Sequence, residues 1–150
     1  METIWKPNVT VAALIEREGR FLLVEEETDD GLRFNQPAGH LDEGESLVHA
    51  CARETLEETA WEFRPTALVG IYQWQRPRRD VTYLRFAFSG ELGAHEAGRA
   101  LDTGIQRAVW MTPDEIRASA ERHRSPLVWQ CVSDYLAGRR FPLEQIRHYD

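Results

Sequence analysis

Gly39-His40-Leu41-Asp42-Glu43-Gly44-Glu45-Ser46-Leu47-Val48-His49-Ala50-Cys51-Ala52-Arg53-Glu54-Thr55-Leu56-Glu57-Glu58-Thr59-Ala60-Trp61 carries more structural information than any other stretch of the chain. From about Ser46 to Thr59 it holds neither Gly nor Pro, and helix formers dominate, so it reads as a helix entered from a glycine-rich loop. Glu54, Glu57 and Glu58 stand at i, i+3 and i+4 and share one face, within roughly a 100° arc. Val48, Cys51, Ala52, Thr55, Leu56 and Thr59 occupy the opposite arc and suit packing on a sheet. Three carboxylates on one face repel one another and need a positive partner. Arg53, four residues before Glu57, does not neutralise three acids alone. A hard divalent cation does, because Mg²⁺ and Mn²⁺ prefer carboxylate oxygens and retain waters. Glu45 is placed to approach the same cluster, and Gly39 and Gly44 let backbone carbonyls come near a metal or a phosphate. The plain alternative is an exposed acidic face that serves only solubility.

Outward from this stretch the chain alternates extended and helical signals. Val9 to Glu16 reads as a buried strand, Glu18-Gly19-Arg20 as a turn, and Phe21 to Val24 as the start of a second strand. Glu25 to Gly31 is expected to be an acidic loop, and Phe34 to Gly39 a short extended lead into the glycine-rich loop. Thr66–Gln75 and Val81–Leu92 are expected as strands around the tip Arg76-Pro77-Arg78-Arg79-Asp80, with a loop over Gly90–Gly104 and a short strand at Ala108–Met111. Thr112-Pro113-Asp114-Glu115 carries a capping-box pattern, with Pro at the first helical position. A last helix opens at Ser125-Pro126 and ends at Gly138, before an irregular tail. Strands grouped around a few helices indicate an α/β layer architecture.

Length and composition bound the function. A chain of 150 residues suits one domain, with a core expected over about 4–137 and a C-terminal extension over 138–150. At 42% hydrophobic and 29% charged it is neither disordered nor membrane-embedded in character. A net charge of −7 argues against nucleic acid as a partner. Met1 to Lys6 shows no basic-then-apolar leader, so a cytoplasmic location is expected, with no membrane or obligate protein partner indicated. Cys51 and Cys131 form no C-x-x-C pair and read as buried thiols, and no two histidines have the i, i+4 spacing of a helical zinc pair.

The spacing within the first stretch resembles the Nudix box, G-x5-E-x7-R-E-U-x-E-E-x-G-U. Gly39, Glu45, Arg53, Glu54, Glu57 and Glu58 match, Thr55 replaces a bulkier aliphatic, and Ala60 replaces the final Gly. The resemblance implies a Nudix α/β/α sandwich with a mixed central sheet, and a hydrolase that cleaves a diphosphate linked to another group. It implies Glu54, Glu57 and Glu58 as metal ligands, with the carbonyl of Gly39, and Arg53 as the residue that orients the acids. Glu45 would support the metal site, and the metal would be Mg²⁺, with Mn²⁺ as a substitute. Lys6–Ala12, Asn35–Leu41, Leu84-Arg85-Phe86, Ser125–Val128 and Pro142–Glu144 extend the similarity to a phosphatase subgroup. That subgroup releases orthophosphate from nucleoside tri- and diphosphates and from thiamine-type pyrophosphates.

Glu57 is the expected proton acceptor from the attacking water, and Asp102 is the alternative; Glu96 shares the same late loop, whereas Gln106 cannot be a base. Lys6, Arg33 and His40 are candidate phosphate contacts. Arg76, Arg78 and Arg79 cluster at a strand tip, where a solvated turn is the plain reading. Phe34, Tyr72 and Trp74 are candidates for stacking on a substrate ring or, equally, for the core. Two other function classes compete with the phosphatase: a pyrophosphohydrolase that releases pyrophosphate and a nucleoside monophosphate, and a sensing module that binds without cleavage. An acidic scaffold has no supporting repeat, heptad or tail.

Overall fold

The computed structural model describes residues 2–150. Alternation of apolar side chains along the strands sets the layers. The strand β1 (Asn8–Leu14) turns Val11 and Ala13 to one core and Ala12 and Leu14 to another. Its parallel neighbour β7 (Thr82–His95) divides Phe88 and Ala87 in the same way. Helix α1 (Leu47–Thr59) supplies Ala50 and Cys51 to the first core, and helix α3 (Leu127–Leu136) supplies Cys131 and Val132 to the second. The sheet between them is mixed, with order β5-β1-β7-β6-β9, where β5 is Ala38–His40, β6 is Trp61–Gln75 and β9 is Phe141–Pro142. A second sheet joins β2 (Glu16–Arg17), β3 (Arg20–Thr28) and β4 (Gly31–Asn35), with β8 (Ile105–Met111) also on β3. This is the expected α/β architecture, with helices on both faces of a mixed sheet.

Local signals at helix starts hold. Thr112 and Glu115 form the expected capping box of α2 (Pro113–Ala118), and Ser46, not singled out from sequence as a cap, caps α1 by accepting from the backbone N–H of His49. Gly138 follows α3 with φ +85°, the left-handed geometry that stops a helix.

Three expectations are corrected. The Glu25–Gly31 segment is no loop, because β3 runs to Thr28 and the chain turns at Asp29-Asp30 into β4. Its acids are tolerated in the strand because Arg107 and Arg122 hold Glu25, and Arg124 holds Glu26. The first part of Gly90–Gly104 is strand up to His95, and Gly90 is required there: a Cβ would sit 2.1 Å from the Arg64 carbonyl oxygen. The tail is not wholly irregular, since Phe141-Pro142 pairs with Leu68 and Ala67 on β6 and Leu143 and Ile146 pack on the α1-side core.

Candidate active site

The site is organised by one guanidinium. Arg53 on α1 donates to Glu45 through Nε (2.6 Å) and Nη2 (2.9 Å), to Glu54 (2.9 Å) and Glu57 (3.2 Å) through Nη1, and to the His40 carbonyl (3.1 Å). One side chain thus ties the loop before the helix to two acids on its exposed face. Glu45 also accepts from the Asp42 backbone N–H and contacts His49. These contacts, Arg53 foremost, hold the Glu45 carboxyl down to about 2, so it is ionised over the whole working range.

Glu54 reaches this place because residue 39 is glycine. A Cβ on Gly39 would lie 2.1 Å from the Glu54 carboxyl carbon and 2.3 Å from each of its oxygens. Gly39 lies in β5, paired with Val11, so the edge strand brings bare backbone against the helix acid. Glu58 points inward and accepts from the Ala38 backbone N–H at 2.9 Å. Burial, with the neighbouring acids Glu26, Glu54 and Asp102, pushes its carboxyl up to about 9. Burial raises Glu54 as well, against the pull of Arg53. With Arg53 as the one positive partner, burial and mutual repulsion therefore favour the protonated form of Glu58 and oppose ionisation of Glu54, a cost that a cation beside them would offset.

Asp102 completes the group from the loop that precedes β8. Its backbone N–H donates to the Glu57 carbonyl near the end of α1 (3.0 Å), and its own carbonyl accepts from Ile105 at the start of β8 (3.0 Å). One carboxylate oxygen each from Glu54, Glu57 and Asp102 lie within 4.8 Å of one another. An all-oxygen anionic donor set that converges on one point suits a hard divalent cation. Glu96, the other acid of that loop, pairs instead with Arg99 (3.0 Å), and Gln106 donates to Glu27 (2.8 Å).

A cavity of about 1040 Å³ shares Glu54 with this cluster and is lined by Gly39, His40 and Glu58 and by Trp74, Tyr83 and Trp129. Trp74 stacks on Tyr83, with ring centroids 5.9 Å apart. Arg33 also lines the cavity and is tied to the carbonyls of Asp30 (3.0 Å) and Glu121. Arg76 and Arg78 reach the lining but are paired with Asp80 and Asp30, and Arg79 is exposed in a left-handed turn. Phe34 and Tyr72 do not line it. Phe34 is buried in the α3-side core under Arg122, and Tyr72 packs on that core and donates to Asp134 (2.8 Å). Lys6 lies exposed ahead of β1, outside the lining.

The comparisons agree with this geometry. Residues 5–130 match the NUDIX domain model. The chain belongs to the Nudix family. It is 40% identical over 147 residues to phosphatase NudJ of Escherichia coli strain K12, a match covering 98% of this chain and 95% of the relative. A Nudix hydrolase structure from Nitrosomonas europaea is 53% identical, with a TM-score of 0.93, over 96% of this chain and 98% of that one. The MutT protein of Methanosarcina mazei Go1 shares the fold, with a TM-score of 0.72 at 22% identity, over 91% of this chain and 99% of that one. The protein is accordingly a Nudix hydrolase, an enzyme of pyrophosphate-bond hydrolysis on small-molecule substrates, and such enzymes use a divalent metal. No helix among the described residues is long and apolar enough to cross a membrane.

The sequence did not single out Arg85, which lines the same cavity at 6% exposure. The available signal was a charge inside the strand run Tyr83-Leu84-Arg85-Phe86-Ala87-Phe88, on the side of the strand shared by Tyr83 and Ala87.

Proposed function

We propose that this protein is a Mg²⁺-dependent phosphatase that releases orthophosphate from nucleoside tri- and diphosphates and from thiamine-type pyrophosphates. The convergence of Glu54, Glu57 and Asp102, with Glu54 also lining a cavity that holds Trp74, Tyr83 and Trp129, carries this reading. The similarity to phosphatase NudJ favours orthophosphate over pyrophosphate as the product. Glu54, Glu57 and Asp102 would hold the cation, with Glu58 behind them and the Gly39 carbonyl at the same edge. When bound, the cation neutralises phosphate charge and lowers the pKa of water at the site.

The chain's own groups do the remaining work. Arg53 keeps Glu54 and Glu57 in register with Glu45, so the acids meet the substrate already oriented. Water attacks phosphorus, the bond to the bridging oxygen breaks, and Glu57 accepts the water proton; Asp102 is the alternative acceptor. Phosphoryl transfer depends mostly on positioning and charge, which such a rigid acid cluster can supply. Trp74, Tyr83, His40 and Arg33 line the cavity, where the three rings would flank the substrate and Arg33 would contact its phosphate. The protein acts in the cytoplasm, as one Nudix domain over residues 1–150.

Phosphorus NMR of the products from GTP and from thiamine pyrophosphate, with Mg²⁺ and then with excess EDTA, tests the proposal. The expected result is orthophosphate, with GDP appearing before GMP, and no product once EDTA is in excess. Pyrophosphate and GMP in one step would refute the phosphatase reading in favour of the pyrophosphohydrolase. No EDTA-sensitive product from either substrate would refute both.

A further inference from the structure

Arg85 differs from every other arginine that lines the cavity. Arg76, Arg78 and Arg124 face carboxylates, and Arg33 is tied down at the exposed rim by two backbone carbonyls. Arg85 is buried, and its hydrogen-bond partners are all neutral: Asn35 Oδ1 at 2.9 Å, Gln36 Oε1 at 2.9 Å and, at long range, Cys131 Sγ at 3.9 Å. Among the described residues it makes no ion pair. A buried cation without an anion is costly, and it is tolerated where another molecule brings the missing charge.

The surroundings fix the guanidinium in advance. Gln36 donates its amide nitrogen to the Val128 carbonyl at 2.8 Å, which leaves its oxygen aimed at Arg85. Asn35 sets its amide nitrogen towards Glu26 at 3.5 Å, with the same result. Asn35, Gln36 and, weakly, Cys131 take three of the five N–H groups, which leaves spare donors on a guanidinium whose side chain lines the cavity. In register, Thr10 on β1 lies opposite both His40 on β5 and Arg85 on β7, and all three line the cavity. Two strand spacings therefore separate Arg85 from the β5 edge that meets Glu54, roughly 10 Å. A guanidinium fork held at such a place matches the bidentate geometry of a phosphate group.

We propose that Arg85, oriented by Asn35 and Gln36, is a preformed receptor for a substrate phosphate group set back from the metal-binding carboxylates. The inference deepens the phosphatase reading and rests on it for the identity of the substrate. It assigns Arg85 to binding rather than to bond breaking. Its loss should therefore raise KM much more than it lowers kcat.

The test is calorimetric titration of the full chain with inorganic phosphate and inorganic pyrophosphate in EDTA, for wild type, Arg85→Gln and Arg85→Lys. Wild type should bind both anions, Arg85→Gln should bind them at least ~10-fold more weakly, and Arg85→Lys should fall between, because Lys keeps the charge but not the fork. Circular dichroism establishes that each variant is folded; if Arg85→Gln is not, Arg85→Lys decides the matter. Wild-type affinity in a folded Arg85→Gln, or no anion binding by wild type, would overturn the proposal. The assay involves no turnover, so the two readings fail separately. Arg85-dependent anion binding in an enzyme that releases pyrophosphate would sink the phosphatase reading alone. Undiminished binding in Arg85→Gln from an enzyme that releases orthophosphate would sink this one alone.

Discussion

Gly39→Ala probes the construction of the site through a single methyl group. The added Cβ would stand 2.1 Å from the Glu54 carboxyl carbon, whereas ordinary contact begins near 3.4 Å, so that carboxyl must retreat by about 1.3 Å. Glu54 can move because the clash is with the end of a flexible side chain, and no backbone atom ranks among the three nearest to that Cβ. The fold should survive, while Glu54 leaves both Arg53 Nη1 and its place beside Glu57 and Asp102. Misplacing a positioned group by about 1 Å costs on the order of 100-fold in rate. The assay is steady-state orthophosphate release across a Mg²⁺ series, with thermal melting alongside. Activity should fall by about two orders of magnitude at fixed Mg²⁺, with recovery only in part at high Mg²⁺. Gly44→Ala is the control: Gly44 has φ +79° and open space around its Cβ position, so it should lose about 1 kcal/mol of stability and keep its activity. Wild-type turnover and metal dependence in Gly39→Ala would refute the claim that Glu54 must sit against bare backbone.

Other perturbations act on separate parts of the account. Glu57→Gln should lower turnover by roughly 10²- to 10⁴-fold without moving the melting temperature, and near-normal turnover in the folded variant would transfer the proton-accepting role to Asp102. The Glu45 carboxyl is held below its unfolded value, so its contribution to stability is complete above about pH 4.5 and is lost as pH falls towards 2. Glu45→Gln should therefore cost ~1.5–3 kcal/mol at neutral pH and make acid unfolding between those limits shallower; chemical denaturation at several pH values reads both. Ala60 sits at φ +65° at the end of α1. Ala60→Gly should raise the melting temperature, because relief of about 1–2 kcal/mol of left-handed strain exceeds about 0.8 kcal/mol for a lost methyl contact. An unchanged or lower value would give precedence to the methyl.

Local chemistry made part of this structure legible in advance. Helix α1, the Thr112 capping box and the convergence of Arg53 with Glu45, Glu54 and Glu57 follow from spacings of a few residues, which helical geometry converts directly into contacts. Where partners lay far along the chain, sequence reading fell short. The acidic run at Glu25-Glu26 looked like a loop because Arg107, Arg122 and Arg124, which make it acceptable in a strand, lie 80 or more residues away. Phe34 and Trp74 looked alike as aromatic candidates, and only the tertiary fold sends one to the core and the other to the cavity. Asp102 entered as an alternative base because no periodicity ties it to α1; its place is set by backbone hydrogen bonds to Glu57 and from Ile105. Arg85 went unassigned since its meaning depends on Asn35, Gln36 and Cys131, each about fifty residues off.

The most direct test of the central claim, that Glu54, Glu57 and Asp102 together hold a divalent cation, is a Mn²⁺ titration followed by electron paramagnetic resonance of the free ion. Wild type should deplete the free-ion signal, and Glu54→Gln and Asp102→Asn should each weaken binding by at least ~10-fold while folded. Wild-type Mn²⁺ affinity in both variants would contradict the account.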